Sequence, residues 1–173
     1  MNHLRLGRAV QELRESFDAV FRAPLSGELS PLESFLAIRV GSGRYLLRLR
    51  ELAGVHRCPP IVPLPGSFPE QLGLIGLRGS LVAAYALAAF SGETPGAGRW
   101  IGLCKPHHGV GLVFDEVEGQ VSVRADSIRR RGDASETHTN ELVDSADGAR
   151  AVIDVPSILA AIRNRLGTAG TEK

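Results

Sequence analysis

From Ser34 to Val155 the apolar residues of this chain come in short runs, each broken by glycine or proline, and a β-strand is the element that fits runs so brief. Phe35, Ala37 and Val40 belong to a run that stops at Gly41-Ser42-Gly43, and Tyr45 to Leu49 resumes at once, which is the pattern of a β-hairpin. Leu52 to His56 is a third candidate strand. Four prolines then fall within seven residues, at 59, 60, 63 and 65. Proline fixes φ and lacks a backbone donor, so this stretch is excluded from a helix or a central strand and reads as an extended surface connection.

The same punctuation continues downstream. Leu74 to Leu77 and Leu81 to Leu87 read as strands on either side of Arg78-Gly79-Ser80. After a glycine-rich break at Ser91 to Gly98, Trp100 to Cys104 and Val110 to Phe114 form a second candidate hairpin. Val117, Gly119, Val121 and Val123 alternate with Glu118, Gln120 and Ser122, as in a half-buried strand. Residues 124–140 are polar and read as a long exposed loop. Ala149 to Val155 gives the last strand. The strands fall into two groups, on either side of Ser91 to Gly98.

A helical period flanks this region at both ends. Leu6, Val10, Leu13, Phe17 and Val20 share one helical stripe, and Pro24 opens a linker that runs to residue 32. The stripe either packs back on the chain's own barrel or docks in a partner's groove. Ile158, Leu159, Ile162 and Leu166 have helical spacing, with Gly167 as a plausible stop. The expected fold is mainly β, as a small barrel or a pair of barrels between two helices. The organisation reads as an N-terminal helical extension and linker over 1–31, the barrel domain over 32–167 and a flexible tail over 168–173.

Charge and cysteine content narrow the partners. Lys plus Arg number 20 and Asp plus Glu 19, a balance that gives no electrostatic reason to expect nucleic acid or an anionic membrane. The longest apolar run, Leu81 to Phe90, is too short to span a bilayer, and no secretory signal follows Met1, so no membrane insertion is expected and the location reads as cytoplasmic. Cys58 and Cys104 fit buried thiols there.

Catalytic groupings are lacking. There is no Gly-x-Ser-x-Gly elbow and no phosphate loop, and Gly73, Gly76 and Gly79 precede no helix. Cys104, His107 and His108 have the start of a zinc pattern but no second matching pair, so a metal-binding barrel is the weaker alternative and Lys105 to Gly109 reads as a turn. Asp115, Glu116 and Glu118 do not converge as an acid–base pair, and they read as solvated charges, as do Arg129 to Arg131. No catalytic residue, cofactor or metal ligand is assigned.

Leu72-Gly73-Leu74-Ile75-Gly76-Leu77-Arg78-Gly79-Ser80-Leu81-Val82 resembles the signature of the CheW-like chemotaxis adaptor family. Phe35 to Leu49 resembles that family's first hairpin, Phe114-Asp115-Glu116-Val117 its Val-Asp-Glu-Val strand, and Val152 to Leu159 its closing strand and helix. The resemblance spans Ser34 to Leu166. It implies two SH3-like β-barrels sharing an apolar interface and a non-catalytic scaffold. The implied partners are a chemoreceptor's cytoplasmic signalling tip and the regulatory domain of a CheA-type histidine kinase. It implies a partner-binding surface at Arg78, with Leu77, Ser80, Leu52 and Gly54. The chain departs from the signature at Gly76, Ala83 and Ala86. The acid that often pairs with the motif arginine falls at Gly54, and Glu51 faces the other side of a regular strand. A divergent member is therefore expected, and one using only one of the two partners, in motility or pilus control, is the alternative.

Overall fold

A computed structural model describes residues 31–65, 68–130, 138–145 and 148–169; the helix expected over Leu6 to Val20 and the tail beyond Ala169 lie outside them. The strands are β1 (Leu32–Val40), β2 (Gly43–Arg48), β3 (Leu52–Arg57), β4 (Gln71–Leu77), β5 (Ser80–Ala86), β6 (Trp100–Cys104), β7 (Val110–Phe114), β8 (Glu116–Arg124), β9 (Ile128–Arg130), β10 (Glu141–Ser145) and β11 (Gly148–Ile153). Two helices join them, α1 (Leu87–Ser91) and α2 (Val155–Ala169).

The strands form a six-stranded sheet, ordered β8-β1-β2-β11-β10-β9, and a five-stranded sheet, ordered β3-β6-β7-β5-β4. The two edge strands of the first sheet are consecutive in the chain and are joined by the single 3₁₀ turn Ala125–Ser127. The edges of the second, β3 and β4, are also consecutive, and Val62 between them bridges to Leu74. Each sheet therefore curls until its edges approach one another, which makes two small barrels. The expected division at Ser91 to Gly98 is corrected by this pairing. The second sheet collects β3 to β7 from both sides of that break, because long-range partners such as Phe35 and Val121 bring β8 back to β1.

Three cores follow from strand alternation. Phe35, Ala37, Leu46, Val143 and Val152 fill the first barrel. Ile75, Val82, Ala84, Ile101 and Val113 fill the second. The opposite faces of the same strands meet in a shared core with Leu36, Ile38, Leu47, Leu112, Phe114 and Ile153, which α2 covers with Ile158, Leu159 and Ile162. Strands such as β1 are thus buried on both faces, and this explains why their sequences read as continuous apolar runs.

Several boundaries differ from the sequence expectation. Leu87 to Ser91 is helical rather than the end of a strand, and it stops at Gly92, whose φ of 74° provides a left-handed cap. Residues 124–140 are not one loop: Ile128–Arg130 pairs with Glu141–Val143, and the sheet supplies the stability that so short and charged a strand lacks. Val155 opens α2 instead of closing β11, because the Asp154 carboxylate accepts the Ser157 N–H at 3.0 Å as a helix cap. The helix runs through Gly167 to Ala169. No helix among the described residues is long and apolar enough to cross a membrane.

Candidate partner-binding site

Leu77 pairs with Ser80, so β4 and β5 are joined by only two residues, Arg78 and Gly79. Their φ angles are 48° and 81°. Positive φ at both central positions defines the tight turn that matches strand twist, where asparagine–glycine is the usual pair. Glycine takes such angles freely, but an arginine there is strained by about 1 kcal/mol. Arg78 is the sole non-glycine residue with positive φ among the described residues. β5 pairs with β7 only from Ala83 onward, so the hairpin tip projects beyond the sheet. Arg78 is exposed and forms no ion pair among the described residues.

Of the five residues implied by the resemblance, three sit at the β4–β5 hairpin tip and two on β3. Arg78, Leu77 and Ser80 share the tip; Ser80 is exposed, and Leu77 is half-buried against the second barrel's interior. Leu52 and Gly54 lie on β3, the edge strand that the curl of the sheet brings toward β4, and pair with Cys104 and Leu103 of β6. Leu52 is 5% exposed and belongs to the shared core. A Cβ on Gly54 would meet the His56 ring at 3.1 Å. Glu51 is engaged elsewhere. Its carboxylate is buried beside Arg48 and the start of α2, where it accepts the Val155 N–H, and burial raises its pKa.

Two exposed apolar residues that sequence reasoning did not single out lie on the outer face of the β4–β5 hairpin and its bridge. Leu81, opposite Gly76, is 73% exposed, and Val62, opposite Leu74, is 64% exposed. Paired residues on a ladder point to the same face, and Leu74 and Gly76 are two apart, so Val62, Leu74 and Leu81 make one outward apolar strip that runs along β4 from the Arg78 turn. The signal was available: Leu81 alternates with the inward-facing Val82 and Ala84.

The other candidates dissolve into structure. Cys104 is fully buried, and burial with the nearby Glu51 charge pushes its thiol up to about 12. His107 and His108 lie in an exposed turn, and no group of three metal-ligating side chains exists among the described residues. Of the three carboxylates expected to be solvated, Glu116 has a half-exposed side chain, but Asp115 and Glu118 are largely withdrawn from solvent. Asp115 is 9% exposed and accepts the N–H groups of Gly41 and Gly98 at 2.6 and 2.8 Å. Glu118 accepts Arg39, Arg44 and Arg150 at 3.2, 3.1 and 2.8 Å, and these guanidinium groups hold its pKa down against the cost of burial.

A pair of curled sheets on a common apolar core defines a double-barrel domain. The family model for the CheW-like domain matches residues 34–163, well over half of the chain, and the chain belongs to that family. Its fold is similar to the crystal structure of the scaffolding protein TtCheW from Thermoanaerobacter tengcongensis, with a TM-score of 0.65 and 16% identity over 72% of this chain and 90% of that one. No curated protein sequence matches the chain.

Proposed function

We propose that this protein is a non-catalytic cytoplasmic scaffold that couples a chemoreceptor's cytoplasmic signalling tip to the regulatory domain of a CheA-type histidine kinase. Membership of the CheW-like family supports a chemotaxis adaptor role. The observation that carries the finer reading is Arg78, held at positive φ on a projecting turn with no carboxylate partner among the described residues. Strain of that kind is retained where a side chain has a task. Its free guanidinium and the strip of Val62, Leu74 and Leu81 suit an amphipathic helical tip that carries an acidic side chain beside an apolar stripe.

The test is binding of the purified protein to a receptor signalling tip and to a kinase regulatory domain from the same genome, with wild type and Arg78→Ala. Binding to both, with the receptor arm weakened by Arg78→Ala, supports the scaffold. Binding to neither overturns it. A second reading is favoured by Gly54, which leaves Arg78 without the acid usual in the family: a module serving one partner only, in motility or pilus control. Binding to a single arm would select it.

A further inference from the structure

The far end of the second barrel from Arg78 holds a pocket that the scaffold reading does not use. Its volume is about 210 Å³, and its walls include Val40, Ile61, Leu72 and Val113 together with the loop Pro95 to Gly98. Leu72 and Ala86 lie at the end of the β4–β5 ladder opposite the hairpin tip, on the order of 20 Å from Arg78 at the usual rise of a strand.

Asp115 is the one charged residue that lines it. Its carboxylate is held by two backbone N–H groups, from Gly41 and Gly98, and by no cation among the described residues. Glu93, on the same loop, is likewise held by neutral donors: it accepts the hydroxyls of Ser42 at 3.0 Å and Tyr45 at 2.9 Å. Two carboxylates with no counter-cation among the described residues therefore sit where the β1–β2 turn meets the loop. A buried carboxylate that has only amide dipoles for company gains from a cation brought into the same low-dielectric space.

The shape of the pocket selects among cations. A metal ion needs several converging oxygens, and Asp115 belongs to no group of three ligands among the described residues. The aliphatic walls match a hydrocarbon stem, and the carboxylate matches a charged head, as when arginine or lysine lays its methylenes on apolar surface. We propose that this pocket receives an arginine or lysine side chain of a partner polypeptide, with its stem against Val40, Ile61, Leu72 and Val113 and its head on Asp115. This site is separate from the Arg78 surface and does not rest on the identity of the partners proposed there.

The test titrates two blocked tripeptides into the full-length protein, glycine–arginine–glycine and its citrulline counterpart, and follows the amide resonances of Gly41 and Gly98. Citrulline keeps the size and shape of arginine and removes only the charge. The arginine peptide should shift both resonances saturably, with the citrulline peptide weaker by roughly tenfold or more. Asp115→Asn should bring arginine down to the citrulline level, and Arg78→Ala should leave it unchanged. Equal binding of the two peptides, arginine binding that survives Asp115→Asn, or no shift at either glycine would overturn the proposal. Should Asp115→Asn fail to fold, the comparison of the two peptides on wild type decides alone.

Discussion

The Arg48 guanidinium lies over the Phe35 ring, 5.6 Å from its centroid, and the two residues are direct partners across the β1–β2 ladder. Phe35 is fully buried in the first barrel, and Arg48 is 9% exposed at that barrel's end. Arg48 also donates to Glu33 at 3.0 Å and pairs with Glu141. At the other end of the same ladder Arg39 faces Arg44, and both reach Glu118. The first barrel is thus an apolar interior closed at each end by an ionic group. Replacing Arg48 by methionine keeps the stem and the contact with Phe35 but takes from Glu141 its guanidinium and leaves Glu33 only Arg50. The expected loss is about 3 kcal/mol, read as a lower urea midpoint with unchanged slope. A loss below about 1 kcal/mol would show these pairs to be screened like surface ones.

Two glycines three residues apart on β4 make opposite demands. Gly73 has φ of 141°, and a Cβ there would collide with the Val62 carbonyl where the proline-rich connection bridges to Leu74. Gly76 has nothing within 4 Å of a modest side chain. Gly73→Ala should therefore destabilise by about 2 kcal/mol or more, and Gly76→Ala should stay within about 0.5 kcal/mol of wild type. Thermal unfolding of the two variants side by side checks this. Equal effects would mean that the connection can move away from β4 at little cost.

Much of this fold was legible because its hairpins are local. The runs around Gly41 to Gly43, Arg78-Gly79 and Lys105 to Gly109 each announced two antiparallel strands, and each pair forms. The parallel pairings of β5 with β7 and of β2 with β11 left no such trace, since they depend on chain segments far apart. For the same reason the division of strands between the barrels was misplaced. Ile128–Arg130 and Glu141–Ser145 are too short and too charged to show alternation, and they form because β11 offers an edge to pair with. The candidate site was half legible. The motif led to Arg78, but its strained turn and the exposure of Leu81 and Val62 depend on register and on where the proline-rich segment crosses β4. Leu52 could not be told from a surface residue by sequence, because both faces of the second sheet carry apolar side chains.

His138 ties three elements together. Its Nδ1 is 2.7 Å from the Ser157 Oγ at the start of α2, its ring meets Phe90 edge-on at 5.7 Å, and its carbonyl accepts the Asp154 N–H at 2.9 Å. Burial lowers its pKa below the ordinary 6.5, and Arg165 adds to this, while Asp154 opposes it. The folded state thus binds this proton less readily than the unfolded chain. Its stabilising effect is complete above about pH 6.5 and is lost as pH falls from there through the folded value. Urea unfolding from pH 7.5 to 5.5 should show stability declining on the acid side, and His138→Gln should flatten that decline. An unchanged slope in the variant would place the titration elsewhere.

Arg78 sets local stability against binding. Glycine adopts positive φ without the clash that a Cβ meets, so Arg78→Gly relieves the turn, while the exposed guanidinium it removes has no ion pair among the described residues to lose. The expected result is a protein as stable as wild type or more stable by up to about 1 kcal/mol, with weaker binding to the receptor tip. Arg78→Asn, which tolerates the same backbone and keeps a polar head, should match it in stability and also bind poorly, because the positive charge is gone. Arg78→Lys keeps the charge but not the planar fork, so it should recover only part of the affinity. Denaturant midpoints and receptor-tip binding measured on the three variants resolve the two effects. A stability gain with full binding retained would reduce Arg78 to an ordinary turn residue, whereas a fall in stability would mean that its stem packs on the strip of Val62, Leu74 and Leu81.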